Sequence, residues 1–288
     1  MRVLITGAAG FIAHHFLEHI LKNTDWDVVG LIRVGGAGSM RRLAEVLAGH
    51  PEWGARVELQ WHDLRSPINV QLAHELGQFD HVVHMAALTH VDNSIADPGS
   101  FVYSNVIGTY HMLEWARTQD RLRWFNLFST DEVFGPAPEG AAYAEDARYN
   151  STNPYSATKA GAEQVANAYA NCYGVPVLTT NTMNNFGERA GLEKFQPAVL
   201  RKVLLGEKVM IHADESLARA GTRFYIHARN ASAALLFLLE HAPREGRLAA
   251  RYNIVGEREV DNLSLAKLIA RVAGNTLQYE MVNWHTSA

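Results

Sequence analysis

Val3-Leu4-Ile5-Thr6-Gly7-Ala8-Ala9-Gly10-Phe11-Ile12-Ala13 stands near the head of the chain. Three apolar residues make a short buried strand, and Phe11 to Lys22 carries the apolar spacing of a helix. Only small residues separate the two. Such a turn lets backbone approach a phosphate group, and the first N–H groups of a helix lack partners of their own. In the first strand–helix unit of a chain this points to a dinucleotide pyrophosphate lying against Gly7, Ala9, Gly10, Phe11 and Ile12. The spacing is Gly7-x-x-Gly10-x-x-Ala13. Alanine is tolerated at the third position, where close helix packing is all that is needed.

The same alternation continues outward. Asp27 to Ile32, Val57 to Trp61, His81 to Met85, Trp124 to Phe128 and Val175 to Thr179 read as strands. Ser39 to Leu47, Tyr110 to Thr118 and Lys159 to Tyr173 read as helices. Alternating strands and helices in one sheet imply parallel strands with right-handed crossovers, a doubly wound α/β fold. The rhythm breaks near residue 180. Asn181 to Gly191 reads as an Asn- and Gly-rich loop. Pro197 to Leu205, Ala228 to His241 and Leu263 to Ala273 read as helices, and Tyr252 to Val255 as a strand. The expected organisation is a dinucleotide-binding domain over 1–180, with 225–248 returning to it. A small mixed substrate-binding cap is expected over 181–224 and 249–288.

Composition agrees with a folded chain. The chain has 288 residues, 48% hydrophobic and 19% charged, enough for a sizeable core. Twenty-six Lys+Arg against 30 Asp+Glu give a net charge of −4, so no nucleic-acid partner is expected. The single cysteine, Cys172, excludes an intrachain disulfide. No run of about 18 apolar residues occurs, so no membrane partner is expected. Strand-forming residues begin at Arg2 with no leader pattern, and a cytoplasmic location is the expectation. Fourteen histidines include no ligand pattern, and no metal is expected.

Further residues make the reading specific. His62-Asp63-Leu64 follows the third strand, and His84-Met85-Ala86-Ala87 closes the fourth. Tyr155-Ser156-Ala157-Thr158-Lys159 is a Tyr-x-x-x-Lys, preceded by Asn153-Pro154, and Arg223-Phe224-Tyr225-Ile226-His227 comes late. In this order they resemble the extended short-chain dehydrogenase/reductases, the NAD-dependent epimerase/dehydratase family of nucleotide-sugar enzymes. The resemblance implies cofactor contacts at Asp63, Leu64, Ala86 and Ala87, a helix asparagine at Asn105, and a diphosphate-holding Arg223.

Tyr155 and Lys159 stand four apart on one helix face. A tyrosine near pKa 10 is a poor base, and a neighbouring ammonium is expected to favour its phenolate. Ser129-Thr130-Asp131-Glu132 ends the fifth strand, where such folds place active-site groups. Adjacent Thr130, Asp131 and Glu132 resemble the 4,6-dehydratases of the family. That resemblance implies sugar binding by Thr130, C5 deprotonation by Glu132 and C6-oxygen protonation by Asp131. It also implies substrate contacts from Thr89, Asn184, Asn185, Glu193 and Lys194. A 4-epimerase using the same tyrosine, and a non-catalytic dinucleotide-binding protein, are the alternatives.

Two features depart from the family pattern. The second strand ends Leu31-Ile32-Arg33 with no acid for the adenine-ribose hydroxyls. Arg33, with Arg41 or Arg42 near, suits a 2′-phosphate, so NADP is favoured over NAD. Relatives are also expected to continue past Tyr279 to His285 with an Arg-Pro-Gly-His-like segment. A homodimer through a four-helix bundle is implied, with Val106, Tyr110, Leu113, Ala166 and Ala170 as partial apolar stripes.

Overall fold

The structure is a computed structural model that describes residues 1–35, 40–138, 140–243 and 249–283. Along the chain come β1 (Arg2–Thr6), α1 (Phe11–Asn23), β2 (Asp27–Ile32), α2 (Met40–Gly49), β3 (Val57–Trp61), α3 (Val70–Leu76) and β4 (His81–His84). α4 (Val91–Ala96), α5 (Pro98–Phe101), α6 (Gly108–Ala116), β5 (Trp124–Thr130), α7 (Pro154–Tyr173) and β6 (Val177–Thr182) follow. Then come β7 (Asn184–Phe186), α8 (Phe195–Leu205), β8 (Val209–Ala213), β9 (Thr222–His227) and α9 (Ala228–His241). The last elements are β10 (Ala249–Ile254), β11 (Glu259–Asp261), α10 (Asn262–Val272) and β12 (Tyr279–Asn283).

Two compact units result. The first holds Met1–Thr182 with Arg229–Ile254, and the second holds the rest. In the first, seven strands pair in the order β10-β6-β5-β4-β1-β2-β3, every pair parallel. Strand order reverses between β1 and β4, the position at which doubly wound sheets bind ligands. Side-chain alternation builds a core on each face. Val3, Ile5, Val83 and Phe128 pack toward Phe16, Leu17 and Leu239 on one side. Leu4, Val82, Phe125 and Leu127 pack toward Met112, Leu113, Ala166 and Ala170 on the other. The fold expected from the sequence is the fold observed.

Three local readings need correction. The strand expected in the cap over 249–288 belongs to the large sheet, where β10 lies in register with β6 (Ala249 beside Val177). Only Ala250 and Ile254 of β10 are buried, and such an edge strand carries a weak apolar signature. The expected loop Asn181 to Gly191 begins inside β6 and contains β7. Asn181 and Thr182 are buried inside the sheet, where the Asn181 amide nitrogen donates to the Thr130 carbonyl and to Glu163. The helix expected from Ser39 begins within the described residues at Met40; Ser39 lies outside them, as do 244–248 of the returning segment and 284–288.

The second unit has its own small core of Val199, Val203, Val209, Ile211, Ala266 and Ala270. β9 is flanked by β11 and β7, and β12 pairs with β8. Among the described residues no helix is long and apolar enough to cross a membrane.

Candidate active site

Two glycines set the turn after β1. Gly7 has φ +69°, and a Cβ there would lie 3.0 Å from Ala86 Cα. A Cβ on Gly10 would lie 2.9 Å from the Gly7 carbonyl oxygen. Any larger residue would close this cradle. Gly10 caps α1 with no side-chain hydrogen bond, so the first N–H groups of the helix stay available to an anion. The residues therefore fit a dinucleotide pyrophosphate.

A directed hydrogen-bond chain holds the opposite wall. Thr6 Oγ accepts from the backbone N–H of Met85 at 3.1 Å and of Ala86 at 3.0 Å. Both lone pairs are used, so its proton goes to His84 Nδ1, 2.9 Å away. Thr109 Oγ donates to the Asn105 carbonyl at 2.6 Å, so it accepts from His84 Nε2–H at 3.0 Å. His84 is thereby fixed as the neutral Nε2–H tautomer. Burial and the Lys159 charge push its pKa down to about 3. Asn105 is itself buried, and its amide clamps the Leu88 backbone and Thr158.

After β3, Asp63 receives a two-pronged contact from Arg65 at 2.6 and 3.0 Å. This holds the Asp63 carboxyl below its usual range, with a smaller contribution from Arg33. Arg33 NH1 lies 3.9 Å from Asp63. Of the two helix arginines, Arg41 pairs with Glu45. Arg42 reaches the glycine turn, donating to the Ala9 carbonyl at 3.2 Å.

β5 and α7 bring the chemistry-bearing groups together. Thr130 ends β5 and caps the short turn Asp131–Phe134. α7 starts at Asn153 with a reciprocal capping box to Ser156 and proline in its first turn, a strong local start signal. The same Asn153 donates to Glu132 at 3.2 Å. Tyr155 is buried. Its pKa is raised, first by burial and then by Glu132, with Asp131 adding and the Thr130 hydroxyl opposing. Both carboxylates therefore bear on the phenol.

Lys159 Nζ donates to the Phe128 carbonyl at 2.8 Å, and the charges acting on the phenol are carboxylates. Burial lowers Lys159 to about 8, with Glu163 opposing.

A profile of the NAD dependent epimerase/dehydratase family matches residues 3–255. The chain belongs to this family. It is 32% identical to a dTDP-glucose 4,6-dehydratase of Salmonella typhimurium, over 92% of this chain and 74% of that protein. A low-salt glycan biosynthesis protein of Haloferax volcanii is 37% identical, over 98% and 86%. The crystal structure of a Streptomyces venezuelae dTDP-glucose 4,6-dehydratase with NAD bound superposes with TM-score 0.87. The identity is 30%, covering 98% of this chain and 84% of that one.

Within this epimerase/dehydratase chain, Thr89 is exposed in the loop after β4. The remaining expected substrate contacts lie in the second unit. Asn184 and Asn185 sit on β7, paired with Tyr225 and Ile226 of β9. Asn185 donates to the Met183 carbonyl at 2.9 Å, while its buried Oδ1 has no hydrogen-bond partner among the described residues. Lys194 caps α8 without a side-chain bond, Glu193 folds against Gly191, and Arg223 donates to the Thr222 carbonyl at 2.7 Å.

Sequence reasoning missed Glu163, Asn181, Tyr149 and Arg251, which form one polar cluster around the buried Glu163 carboxylate in the first unit. A Lys159-x-x-x-Glu163 spacing inside an otherwise apolar helix face was the available signal.

Proposed function

We propose that the chain is a nucleotide-sugar 4,6-dehydratase, converting a nucleoside-diphosphate hexose to its 4-keto-6-deoxy form. The observation that carries this is the hydrogen bond by which Asn153, the cap of α7 two residues before Tyr155, holds Glu132 at 3.2 Å in the turn that Thr130 and Asp131 open. A 4-epimerase needs the tyrosine alone for proton transfer. Eliminating water needs one more base and one acid.

Tyr155 takes the proton of the C4 hydroxyl, whose oxygen Thr130 holds. A nicotinamide dinucleotide, when bound, would supply the two-electron acceptor that takes hydride from C4 and gives it back at C6. The C4 ketone acidifies C5–H, and Glu132 removes that proton. Asp131 protonates the C6 hydroxyl, which leaves as water. Glu132 returns its proton to C5, and the proton taken by Tyr155 replaces, through solvent, the one Asp131 gave. Substrate minus water equals product.

Gly7, Ala9, Gly10, Phe11 and Ile12 would hold the pyrophosphate of that cofactor. Asp63 and Leu64 would contact the adenosine, and Ala86, Ala87, Tyr155 and Lys159 the nicotinamide half. A preference for NADP is our reading of Arg33 and of Ile32 at the end of β2. NAD in the Streptomyces relative weighs the other way. Thr89, Asn184, Asn185, Glu193, Lys194 and Arg223 are assigned to the nucleotide sugar, Asn185 with its unpaired Oδ1 as acceptor for a hydroxyl.

We also assign a homodimer formed by α6 and α7. Leu113, Ala166 and Ala170 of the expected stripes are spent in the chain's own core. The apolar surface that remains on these elements is Tyr110 at 41% and Tyr173 at 56% exposure, with Tyr103 just ahead of α6 at 62%.

A panel of nucleotide sugars read by mass loss of water tests the activity. With deuterium at C4 of the substrate that reacts, the label moves to C6 in a dehydratase. A label retained at C4 would establish epimerisation instead.

A further inference from the structure

Glu163 lies one turn beyond Lys159 and two beyond Tyr155 on α7, and it is 0% exposed. Four donors meet its two oxygens. Ser129 Oγ and Asn181 Nδ2, the latter at 2.8 Å, donate to Oε1. The Tyr149 hydroxyl at 2.9 Å and Arg251 at 2.8 Å donate to Oε2. A carboxylate offers about four acceptor positions, and all are filled. The donors come from β5, β6, β10 and the segment ahead of α7.

The cluster is joined to the reaction site twice. Asn181 Nδ2 also donates to the Thr130 carbonyl at 3.0 Å, so Glu163 and the backbone of Thr130 share one amide. Lys159 occupies the preceding turn of the same helix face. The charged and titratable groups facing Glu163 are thus Lys159 on α7, Arg251 on β10 and Tyr149. Lys159 also faces His84, which is locked neutral. Burial raises Glu163 to about 7, with Ser129, Asn181 and Lys159 opposing.

We propose that Glu163 is a positioning residue for the reaction: its buried carboxylate keeps Lys159 charged and fixes the end of β5 from which Thr130, Asp131 and Glu132 project. An apolar side chain would fill the same space. Only an anion offsets the cost of an ammonium held away from water. The catalytic part of this inference rests on the dehydratase reading; the electrostatic part does not.

The test follows the ¹³Cε shift of Lys159 against pH in isotopically labelled protein as purified, assigned with Lys159→Arg. In Glu163→Gln the Lys159 midpoint falls by about one unit, and Glu163→Asp restores much of it. The alkaline limb of kcat moves down by the same amount, while KM changes less than about twofold. Should Glu163→Gln not fold, Ser129→Ala gives the same reading. It removes one donor, so the carboxylate takes up its proton at higher pH and the Lys159 midpoint falls. A folded variant whose Lys159 midpoint stays at the wild-type value overturns the proposal. If the wild-type chain turns over no nucleotide sugar, the dehydratase reading fails by itself, and the titration still decides on Glu163.

Discussion

Asn153 serves two neighbours at once: its Oδ1 accepts from the Ser156 backbone at 2.8 Å and its Nδ2 donates to Glu132 at 3.2 Å. The cap of α7 and the orientation of one carboxylate are therefore a single device. Asn153→Asp keeps an acceptor for the cap, so the thermal midpoint stays within a few degrees. It also sets a second carboxylate against Glu132, and like charges resist joint ionisation. The acid limb of the pH–rate profile moves to higher pH. Asn153→Ala instead loses the cap, costing about 1 kcal/mol. Thermal melts and kcat profiles of the two variants separate the roles; a shared melting loss with unchanged profiles would remove Asn153 from the chemistry.

Glu132→Gln tests the assigned base. The amide keeps the contact volume and cannot take the C5 proton. Oxidation at C4 persists, seen as a transient rise of nicotinamide absorbance at substrate addition. Product formation falls about 10²–10⁴-fold. Fast release of 4-keto-6-deoxy product by this variant would exclude Glu132 as base.

His84 links folding to pH. In the unfolded chain its pKa is near 6.5, and in the fold it is pushed down to about 3. Between those values the unfolded chain binds a proton that the folded one refuses. Stability from the neutral imidazole is complete above about pH 6.5 and is lost as pH falls, at up to about 1.4 kcal/mol per pH unit. Denaturant titrations from pH 7 to 5 should show this slope over and above that of the carboxylates. A His84→Gln variant should have a shallower slope; identical slopes would mean that His84 charges within the fold.

Much of this was legible because local chemistry and tertiary placement agree. Gly7 and Gly10 announce a strand–turn–helix that the fold keeps, and Tyr155 and Lys159 fall on one helix because Asn153-Pro154 starts it. Asn181 was misread because asparagine favours turns in isolation. Here its amide nitrogen donates to the Thr130 carbonyl and to Glu163, which are 51 and 18 residues away. The direction of the Tyr155 shift was also illegible, since spacing says nothing of burial. Val106, Leu113 and Ala166 illustrate a further limit: a helical stripe does not reveal whether it meets its own chain or another.

The surface left by that partition predicts assembly. Tyr110, Tyr169 and Tyr173 form a ring ladder, with centroids 6.4 and 4.9 Å apart and Arg117 over Tyr173. Tyr169 is buried, and the exposed Tyr110 and Tyr173 on either side of it are of the kind that anchors interfaces. Wild-type chain is expected to sediment as a dimer at micromolar concentration. Tyr110→Arg with Tyr173→Arg places like charges across a two-fold contact and should give monomers of unchanged far-UV dichroism. A wild-type monomer would count against the assignment.

The proposed preference for NADP rests on Arg33. The 2′-phosphate of NADP carries nearly two negative charges, and a strand-end acid would repel it. Ile32 stands at that end, with Arg33 next and Arg42 at the glycine turn. Arg33 lies 3.9 Å from Asp63, a loose contact, because Arg65 already holds that carboxylate closely. Its guanidinium can thus serve a phosphate without leaving Asp63 unpaired, and its planar fork donates paired hydrogen bonds. A charge-assisted contact contributes about 1.5–3 kcal/mol, or roughly 10–100-fold in affinity. Arg33→Ala is therefore expected to weaken NADP binding by about that factor while NAD binding changes less than about threefold. Calorimetric titration of cofactor-stripped protein with each dinucleotide measures both. Equal losses for the two, or protein that is isolated with NAD alone, would take Arg33 out of phosphate recognition and make NAD the cofactor.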